Sequence, residues 1–186
     1  MTLDRLYAAQ RVLIIGGARS GKSALAERLV ADEETVDYVA TSAVADDAEW
    51  ESRVRLHRDR RPDHWRTIES MDLASLLASD GPPLLIDCLT VWLTRIMDCH
   101  DAWNDASWTQ AEPAVTKEID ALVQALETTS RRVVMVTNEV GQGVVPAAAS
   151  VRRFRDQMGL ANQRVAAVSD EVAWSVAGRF VLLESL

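Results

Sequence analysis

An eight-residue motif near the amino terminus constrains the fold of this 186-residue chain more than any other feature. Residues 16–23 read Gly-Gly-Ala-Arg-Ser-Gly-Lys-Ser, which matches the pattern G-x-x-x-x-G-K-[ST]. A β-rich run, Val12–Ile15, precedes the motif, and a helical pattern, Ser23–Ala31, follows it. In this arrangement backbone N–H groups and the positive end of the helix converge on one place. The motif therefore predicts a phosphate-binding loop.

The positions of this loop have distinct expected roles in holding a nucleoside triphosphate. Lys22 is expected to reach the β- and γ-phosphates, and the hydroxyl of Ser23 is expected to bind Mg²⁺. Lys22 is one of two lysines in a chain that otherwise uses arginine, so a compact point charge occurs where a phosphate site needs one. The predicted nucleotide-binding residues of the loop are Gly16, Gly17, Ala18, Arg19, Ser20, Gly21, Lys22 and Ser23.

Short β-rich runs alternate with helical patterns along the rest of the chain, as in a parallel sheet wrapped by helices. In the runs 84–88 and 132–137 the apolar residues are continuous rather than alternating, which indicates strands covered on both faces. Two last runs flank Ala177-Gly178 and suggest a terminal hairpin. The sequence thus predicts one α/β domain over residues 1–186, with a P-loop NTPase-type three-layer fold, a mostly parallel central sheet and a C-terminal hairpin.

Four other segments carry structural expectations. Helices are expected over 46–60, over 116–127 and from 148 to 168, the last with a break at Gly159. The segment 98–109 is expected to be a long loop, and its two tryptophans, Trp103 and Trp108, are more readily explained by packing or surface exposure than by ligand binding.

Charge and composition exclude several classes of protein. The chain has 28 acidic and 20 basic residues, a net charge of -8, which is unfavourable for binding a nucleic-acid backbone. Cys88 and Cys99 form neither a disulfide framework nor a metal-binding pattern, so a reducing compartment is expected. No apolar run approaches the roughly 18 residues that span a bilayer, and the first ten residues lack a secretory pattern. These features favour a cytoplasmic protein with no membrane span.

An acidic residue ends the strand predicted at 84–87. Asp87 follows three apolar residues, and the carboxyl end of a parallel strand is where such sheets place ligands. We therefore expect Asp87 to complete a Mg²⁺ shell with Ser23. Glu139, after the run 132–137, is a weaker candidate, and an ordinary acid at a strand end is the favoured interpretation of it.

The segment 53–66 is locally basic in an acidic protein. Six arginines against Asp59 and Asp63 give 6 − 2 = +4, and the segment also contains His57 and His64. Two interpretations remain open, a second phosphate-binding surface or a solvated helical face.

Motifs of other nucleotide-binding classes are missing from the sequence. Neither lysine lies in the guanine-reading pattern Asn-Lys-x-Asp, and no Ser-Gly-Gly-Gln stretch typical of transporter ATPases occurs. A small-molecule kinase or a nucleotidyltransferase remains, with its specificity in segments between the core strands.

Five stretches, in order and covering nearly the whole chain, resemble a known family. They are Val12–Ser23, Tyr38–Ser42, His57–Glu69, Val136–Pro146 and Asn162–Arg164. The chain resembles the bifunctional adenosylcobinamide kinase/adenosylcobinamide-phosphate guanylyltransferase family of cobalamin biosynthesis. The resemblance implies phosphorylation of the aminopropanol hydroxyl of adenosylcobinamide by ATP or GTP. Transfer of GMP from GTP would follow, giving adenosylcobinamide-GDP and pyrophosphate.

The resemblance also implies site residues and assembly. GMP would pass through a histidine intermediate at His57, and the position before it, where some members have a second histidine, is Leu56 here. Homo-oligomers are implied, with GTP or ATP, Mg²⁺ and adenosylcobinamide or its phosphate bound. Further nucleotide or metal contacts are implied at Ala40, Thr41, Ser42, Arg58, Asp59, Arg60, Arg61, Glu69 and Asp87. The alternatives are a P-loop kinase without guanylyl transfer and a nucleotide-gated binding protein.

Overall fold

A seven-stranded sheet forms the centre of the structure, a computed structural model that describes residues 2–41 and 62–185. The strands are β1 (Arg11–Gly16), β2 (Asp37–Ala40), β3 (Arg66–Glu69), β4 (Leu84–Asp87), β5 (Val133–Asn138), β6 (Glu171–Val176) and β7 (Arg179–Leu183). Their order across the sheet is β3-β2-β4-β5-β1-β6-β7. Every neighbouring pair is parallel except β6 and β7, which form an antiparallel hairpin. The mostly parallel sheet and the terminal hairpin are confirmed.

Helices cover both faces of this sheet. They are α1 (Thr2–Ala8), α2 (Lys22–Leu29), α3 (Leu73–Ala78), α4 (Leu89–Cys99), α5 (Trp108–Thr128) and α6 (Ala149–Ala167). One buried apolar cluster contains residues of α3, α4, α5 and α6, and a second contains residues of α1 and α2. Side chains of one strand divide between the clusters, with Met135 of β5 in the first and Val134 and Val136 in the second. The predicted three-layer α/β fold is confirmed.

The expected long loop at 98–109 is wrong at both ends. Residues 98 and 99 belong to α4, and residues 108 and 109 begin α5, so turns occupy the short segment between the two helices. Helix α5 begins eight residues before the expected start and contains Pro113, a residue more typical of a first helical turn. Helix α6 is continuous through Gly159, so the expected break does not occur. The helix expected over 46–60 lies outside the described residues.

A buried carboxylate joins three elements at the amino end of the sheet. The side chain of Asp37 is 1% exposed and accepts hydrogen bonds from Arg131 at 2.6 Å and from two nitrogens of Arg66 at 2.7 Å. Burial alone would raise the pKa of Asp37, but the hydrogen bonds from Arg66 and Arg131 hold it below its ordinary value. Arg131, whose side chain is 2% exposed, also donates to the carbonyls of Leu76 and Pro82. This network connects β2 to β3 through Arg66 and to the residues before β5 through Arg131.

Candidate active site

The register of the sheet aligns several predicted site residues at its carboxyl edge. Ala40 at the end of β2 pairs with Glu69 of β3 on one side and with Asp87 of β4 on the other. On β1, Gly16 pairs with Asn138 of β5. The glycine-rich loop that follows Gly16 and the three predicted positions therefore lie along one edge, because parallel strands end on the same side of a sheet.

The phosphate loop, residues 16–23, has a backbone that only glycine fits at two points. A Cβ at Gly16 would lie 2.5 Å from the carbonyl oxygen of Ser175 and 2.5 Å from the hydroxyl of Ser20. Gly21 has a φ of 97° and directly precedes α2, and a Cβ there would lie 3.1 Å from the Cα of Gly178. The two glycines thus allow the loop to close tightly between β1 and the first turn of α2.

The C-terminal hairpin forms two hydrogen bonds with the phosphate loop. The backbone N–H of Gly178 donates to the carbonyl of Ser20 at 2.9 Å, and the hydroxyl of Ser175 donates to the same oxygen at 3.1 Å. These contacts connect residues more than 150 positions apart, so local sequence patterns gave no sign of them. The hairpin was predicted from the sequence, but its hydrogen bonds to the phosphate loop were not.

The ammonium group of Lys22 lies over the loop it belongs to. Its Nζ donates to the carbonyl of Gly17 at 3.0 Å. Burial lowers the pKa of Lys22 below its ordinary value, while the nearby charges of Cys88 and Asp87 act to raise it. A half-buried cation held over inward-curling backbone is suited to bind a phosphate chain, whose negative charge would favour the protonated amine.

Asp87 lies within electrostatic reach of Lys22 at the end of β4. The phenol of Tyr38 donates to its Oδ2 at 3.1 Å, which fixes the carboxylate at the edge of the sheet. Among the described residues, no group of three or more His, Cys, Asp or Glu side chains is arranged to hold a metal ion. The hydroxyl of Ser23 and the carboxylate of Asp87 nevertheless fit Mg²⁺, which takes hard oxygen donors and binds through one or two protein groups plus phosphates.

Thr41 connects the ends of β2 and β4. Its hydroxyl donates to the carbonyl of Cys88 at 2.8 Å and accepts from the N–H of Cys88 at 3.1 Å. The guanidinium of Arg95, on α4, donates to the carbonyl of Thr41 at 2.8 Å. The side chain of Thr41 is fully buried and bonded to the backbone of Cys88. A contact from Thr41 to a nucleotide would therefore have to come from the main chain of Thr41.

A buried hydrogen-bond network fixes the end of β5 beside the phosphate loop. The hydroxyl of Thr137 donates to Asn162 of α6 at 2.8 Å, and the amide of Asn162 donates to the carbonyl of Asn138 at 3.1 Å. The N–H of Asn138 in turn donates to Thr90 of α4 at 2.8 Å. The network positions the backbone that leads into Glu139, and it gives a structural role to the Asn162–Arg164 motif.

A cleft of about 340 Å³ opens at the phosphate loop, between the segment that follows β5 and the end of β6. Glu139 lies here, and its Oε1 accepts from the backbone N–H of Gly141. From the sequence, Glu139 was interpreted as an ordinary acidic residue at the end of a strand. In the structure it lies in the wall of this cleft. The lining residues are Gly17, Ala18, Arg19, Ser20, Glu139, Val140, Gln142, Gly143, Trp174, Ser175, Val176 and Ala177.

Several predicted site residues lie outside the described part of the chain: Ser42, His57, Arg58, Asp59, Arg60 and Arg61. Arg66, which the sequence reading counted in the basic segment 53–66, lies in β3 and binds Asp37 at the amino end of the sheet. Arg66 therefore lies at the opposite end of the sheet from the phosphate loop. His64 is exposed, with its carbonyl accepting from Thr35.

Trp103 and Trp108 pack against α6. The ring of Trp103 lies 5.7 Å from that of Phe154, and the guanidinium of Arg153 lies 5.1 Å from the ring of Trp108. Both contacts agree with the packing interpretation of these tryptophans.

The sheet order, with a glycine-rich loop between its β1 strand and α2, defines a P-loop nucleotide-binding protein. A solved structure described as a prototypical ATPase from the type III secretion system of pathogenic bacteria shares the fold. It has a TM-score of 0.56 and 11% identity, and the match covers 89% of this chain and 51% of that one. The family model "Cobinamide kinase / cobinamide phosphate guanyltransferase" matches residues 12–183, and the chain belongs to this family.

Curated relatives agree with the family match. The bifunctional adenosylcobalamin biosynthesis protein CobU of Salmonella typhimurium is 43% identical over 174 residues, which cover 90% of this chain and 96% of the relative. The bifunctional adenosylcobalamin biosynthesis protein CobP of Pseudomonas aeruginosa is 43% identical over 173 residues, covering 90% and 94%. The predictions of this family and of an enzyme are confirmed. Within residues 2–41 and 62–185, no helix has the length and apolarity to cross a bilayer.

Proposed function

We propose that this enzyme phosphorylates the aminopropanol hydroxyl of adenosylcobinamide with ATP or GTP, and then transfers GMP from GTP to the phosphate so formed. The observation that carries the proposal is the phosphate loop, in which Lys22 lies over the backbone cradle and Asp87 lies within electrostatic reach. Membership of the cobinamide kinase and guanyltransferase family supplies the substrate class.

In the kinase step, the loop binds the triphosphate and the substrate hydroxyl attacks the γ-phosphorus. A new O–P bond forms as the bond from the γ-phosphorus to the β,γ-bridging oxygen breaks, and the hydroxyl proton leaves to solvent. Lys22 and the loop N–H groups neutralise charge on the β- and γ-phosphates. Mg²⁺, held by Ser23 and Asp87, supplies further charge neutralisation on the phosphate oxygens when bound.

In the guanylyl step, a neutral imidazole nitrogen of His57 attacks the α-phosphorus of GTP. A P–N bond forms as the bond to pyrophosphate breaks, and the leaving pyrophosphate remains in the cradle of Lys22. An oxygen of the substrate phosphate then attacks the same phosphorus, and the P–N bond breaks to release adenosylcobinamide-GDP. The arginines at 58, 60 and 61 would offset charge during both transfers.

Labelled GTP separates the two activities. The protein is incubated with GTP carrying label at the α-phosphate or, separately, at the γ-phosphate, in the presence of Mg²⁺. We expect acid-labile labelling of the protein from the α-label only, its loss in His57→Ala, and its retention in the matched control His64→Ala. Transfer of γ-label to cobinamide without any covalent α-label would exclude guanylyl transfer and leave a kinase alone. If neither covalent α-label nor γ-label transfer is detected while nucleotide still binds, both proposed enzymatic steps are wrong.

A further inference from the structure

The cleft adjoins the part of the phosphate loop that meets the reacting end of a triphosphate. Gly17 lines the cleft, and its carbonyl accepts a hydrogen bond from Nζ of Lys22 at 3.0 Å. The lysine of such a loop reaches the β- and γ-phosphates, so its ammonium group lies at the terminal end of a bound triphosphate rather than at the nucleoside end. A molecule in the cleft would therefore lie beside the phosphate that the kinase step transfers.

Glu139 is the one carboxylate among the described residues that line the cleft. Its backbone N–H donates to the carbonyl of Gly16 at 3.3 Å, which places the residue directly beside the phosphate loop. Its Oε1 accepts from the N–H of Gly141, and the guanidinium of Arg155 donates to the carbonyl of Gly141. Within residues 2–41 and 62–185 the carboxylate has no other hydrogen bond or ion pair, so Oε1 is fixed and Oε2 is available to a ligand.

The size of the cleft fits an arm of a substrate better than a macrocycle. Its volume of about 340 Å³ is at the lower end of the roughly 300–1,000 Å³ typical of complete small-molecule sites. Exposed valines adjoin this polar cleft. Val176 lines it and is 50% exposed, and Val144 and Val145, which are 95% and 66% exposed, directly follow the wall residue Gly143. Such a surface is suited to contact a large, partly apolar body whose reactive arm enters the cleft.

We propose that the cleft binds the acceptor alcohol of the kinase step, the aminopropanol arm, and that Glu139 is the catalytic base for its hydroxyl. The O–H bond breaks and its proton goes to Oε2 of Glu139, while the hydroxyl oxygen forms a bond to the γ-phosphorus. The bond from this phosphorus to the β,γ-bridging oxygen breaks, its electron pair leaves with the nucleoside diphosphate, and Glu139 then passes the proton to solvent. This inference rests on the proposed function, because it gives a site to the acceptor of that reaction.

Glu139→Gln tests the role of the carboxylate. The amide keeps the size of the side chain and an oxygen for the N–H of Gly141, but it is too weak a base to take the proton. We expect kcat for transfer of γ-label from ATP to cobinamide to fall roughly 10²-fold or more. Affinity for ATP, measured by titration calorimetry, and covalent α-labelling of the protein by GTP should stay at wild-type values, since neither involves the acceptor. Glu112→Gln, the same change at an exposed position of α5, is the matched control and should alter none of these.

The outcomes of this experiment separate the inference from the proposed function. A wild-type kcat in Glu139→Gln overturns the inference. Parallel losses of γ-label transfer and of ATP affinity or α-labelling also overturn it, because they would indicate that Glu139 supports the phosphate loop or its metal ion instead of the acceptor. A wild-type protein that transfers no γ-label to cobinamide refutes the proposed kinase step instead.

A pair of glycines tests whether the position of this carboxylate matters. A Cβ at Gly141 would lie 2.8 Å from Oε1 of Glu139, whereas a Cβ at Gly143 would meet nothing within 4 Å. Gly141→Ala should therefore displace the carboxylate and lower kcat roughly tenfold, and Gly143→Ala should lower it less. In the Glu139→Gln background, Gly141→Ala should cause little further loss, because it acts through the same carboxylate. Independent, additive losses would overturn the assignment.

A second matched pair tests which substrate occupies the cleft. Val176 and Val181 lie on the two strands of the hairpin and are 50% and 51% exposed, but of the two only Val176 lines the cleft. Tryptophan is well tolerated in strands, and at position 176 its side chain would fill part of the cleft. We expect Val176→Trp to raise the KM for cobinamide roughly tenfold with the KM for ATP little changed, and Val181→Trp to alter neither. A rise in the KM for ATP alone would place a nucleoside in the cleft and overturn the proposal.

Discussion

The two ends of the central sheet use charged residues in opposite ways. At the amino end, the buried carboxylate of Asp37 is bonded to two guanidinium groups, with all three nitrogen–oxygen distances between 2.6 and 2.7 Å. At the carboxyl end, Lys22 donates to a backbone carbonyl and Asp87 accepts from a phenol. Within the described residues, neither Lys22 nor Asp87 forms an ion pair. The first arrangement stabilises the fold, and the second leaves charge for a ligand.

Asp37→Asn tests the amino end and has the largest expected effect on stability. Removing the carboxylate charge leaves the buried guanidinium of Arg131 without its counter-ion, and we expect the free energy of unfolding to fall by about 3–5 kcal/mol. Chemical denaturation followed by circular dichroism measures this change. Asp120→Asn, the same substitution in the exposed pair with Arg164, is the matched control and should cost less than about 1 kcal/mol.

The pH dependence of this effect has a definite sign. Because the pKa of Asp37 lies below its ordinary value of 3.8 in the folded protein, its contribution is fully present above that pH. The contribution is lost as the pH falls through the folded-state pKa, so the difference between wild type and Asp37→Asn should shrink there. A difference that stays constant through this range would mean that Asp37 is not the stabilising charge.

Lys22→Ala tests the carboxyl end and should separate activity from stability. Loss of the cation over the phosphate loop is expected to lower both the kinase and the guanylyl rates by roughly 10²–10³-fold, because both use the same cradle. The free energy of unfolding should change by less than about 1 kcal/mol, since a lysine without an ionic partner contributes little to the fold. Lys117→Ala, at the other lysine and on the exposed face of α5, is the control and should leave both rates unchanged. If Lys22→Ala lowers the free energy of unfolding as much as Asp37→Asn does, the contrast between the two ends of the sheet is wrong.

A smaller effect is expected from the pKa of Lys22 itself. Burial lowers this pKa below 10.5, so the free enzyme loses the cation at lower pH than an exposed lysine would. Nucleotide affinity, measured by titration calorimetry between pH 7 and 11, should weaken on the alkaline side, by about twofold at the pKa of the free enzyme. In Lys22→Arg the charge persists, and an alkaline decline of the same size in that variant would assign the titration to another group.

Local sequence patterns predicted the elements whose signals are short-range. The phosphate loop needs its glycines and lysine at fixed spacing. Strands β4 and β5 each begin with an uninterrupted apolar run, 84–86 and 133–136, because both faces of the sheet are covered there. Strand β3 was missed because its four residues are mostly exposed, and α4 was missed because it follows β4 without an intervening turn signal. Helix α5 was predicted to begin late because its apolar stripe was recognised only from Ile119 to Leu126, whereas the helix begins at Trp108 and continues through Pro113.

The sequence by itself determined the phosphate loop, the family and the acid at the end of β4, since these depend on residue identity at fixed local spacing. Only the tertiary structure decided which charges are paired. Asp37 and Arg131 are 94 positions apart, and Ser175 and Ser20 are 155 apart. Contacts at such separations depend on how strands pair and helices pack rather than on local propensity. The strand pairing therefore places Arg66 at the amino end of the sheet, and Glu139 and Trp174 in the walls of one cleft at residues 17–20 of the phosphate loop.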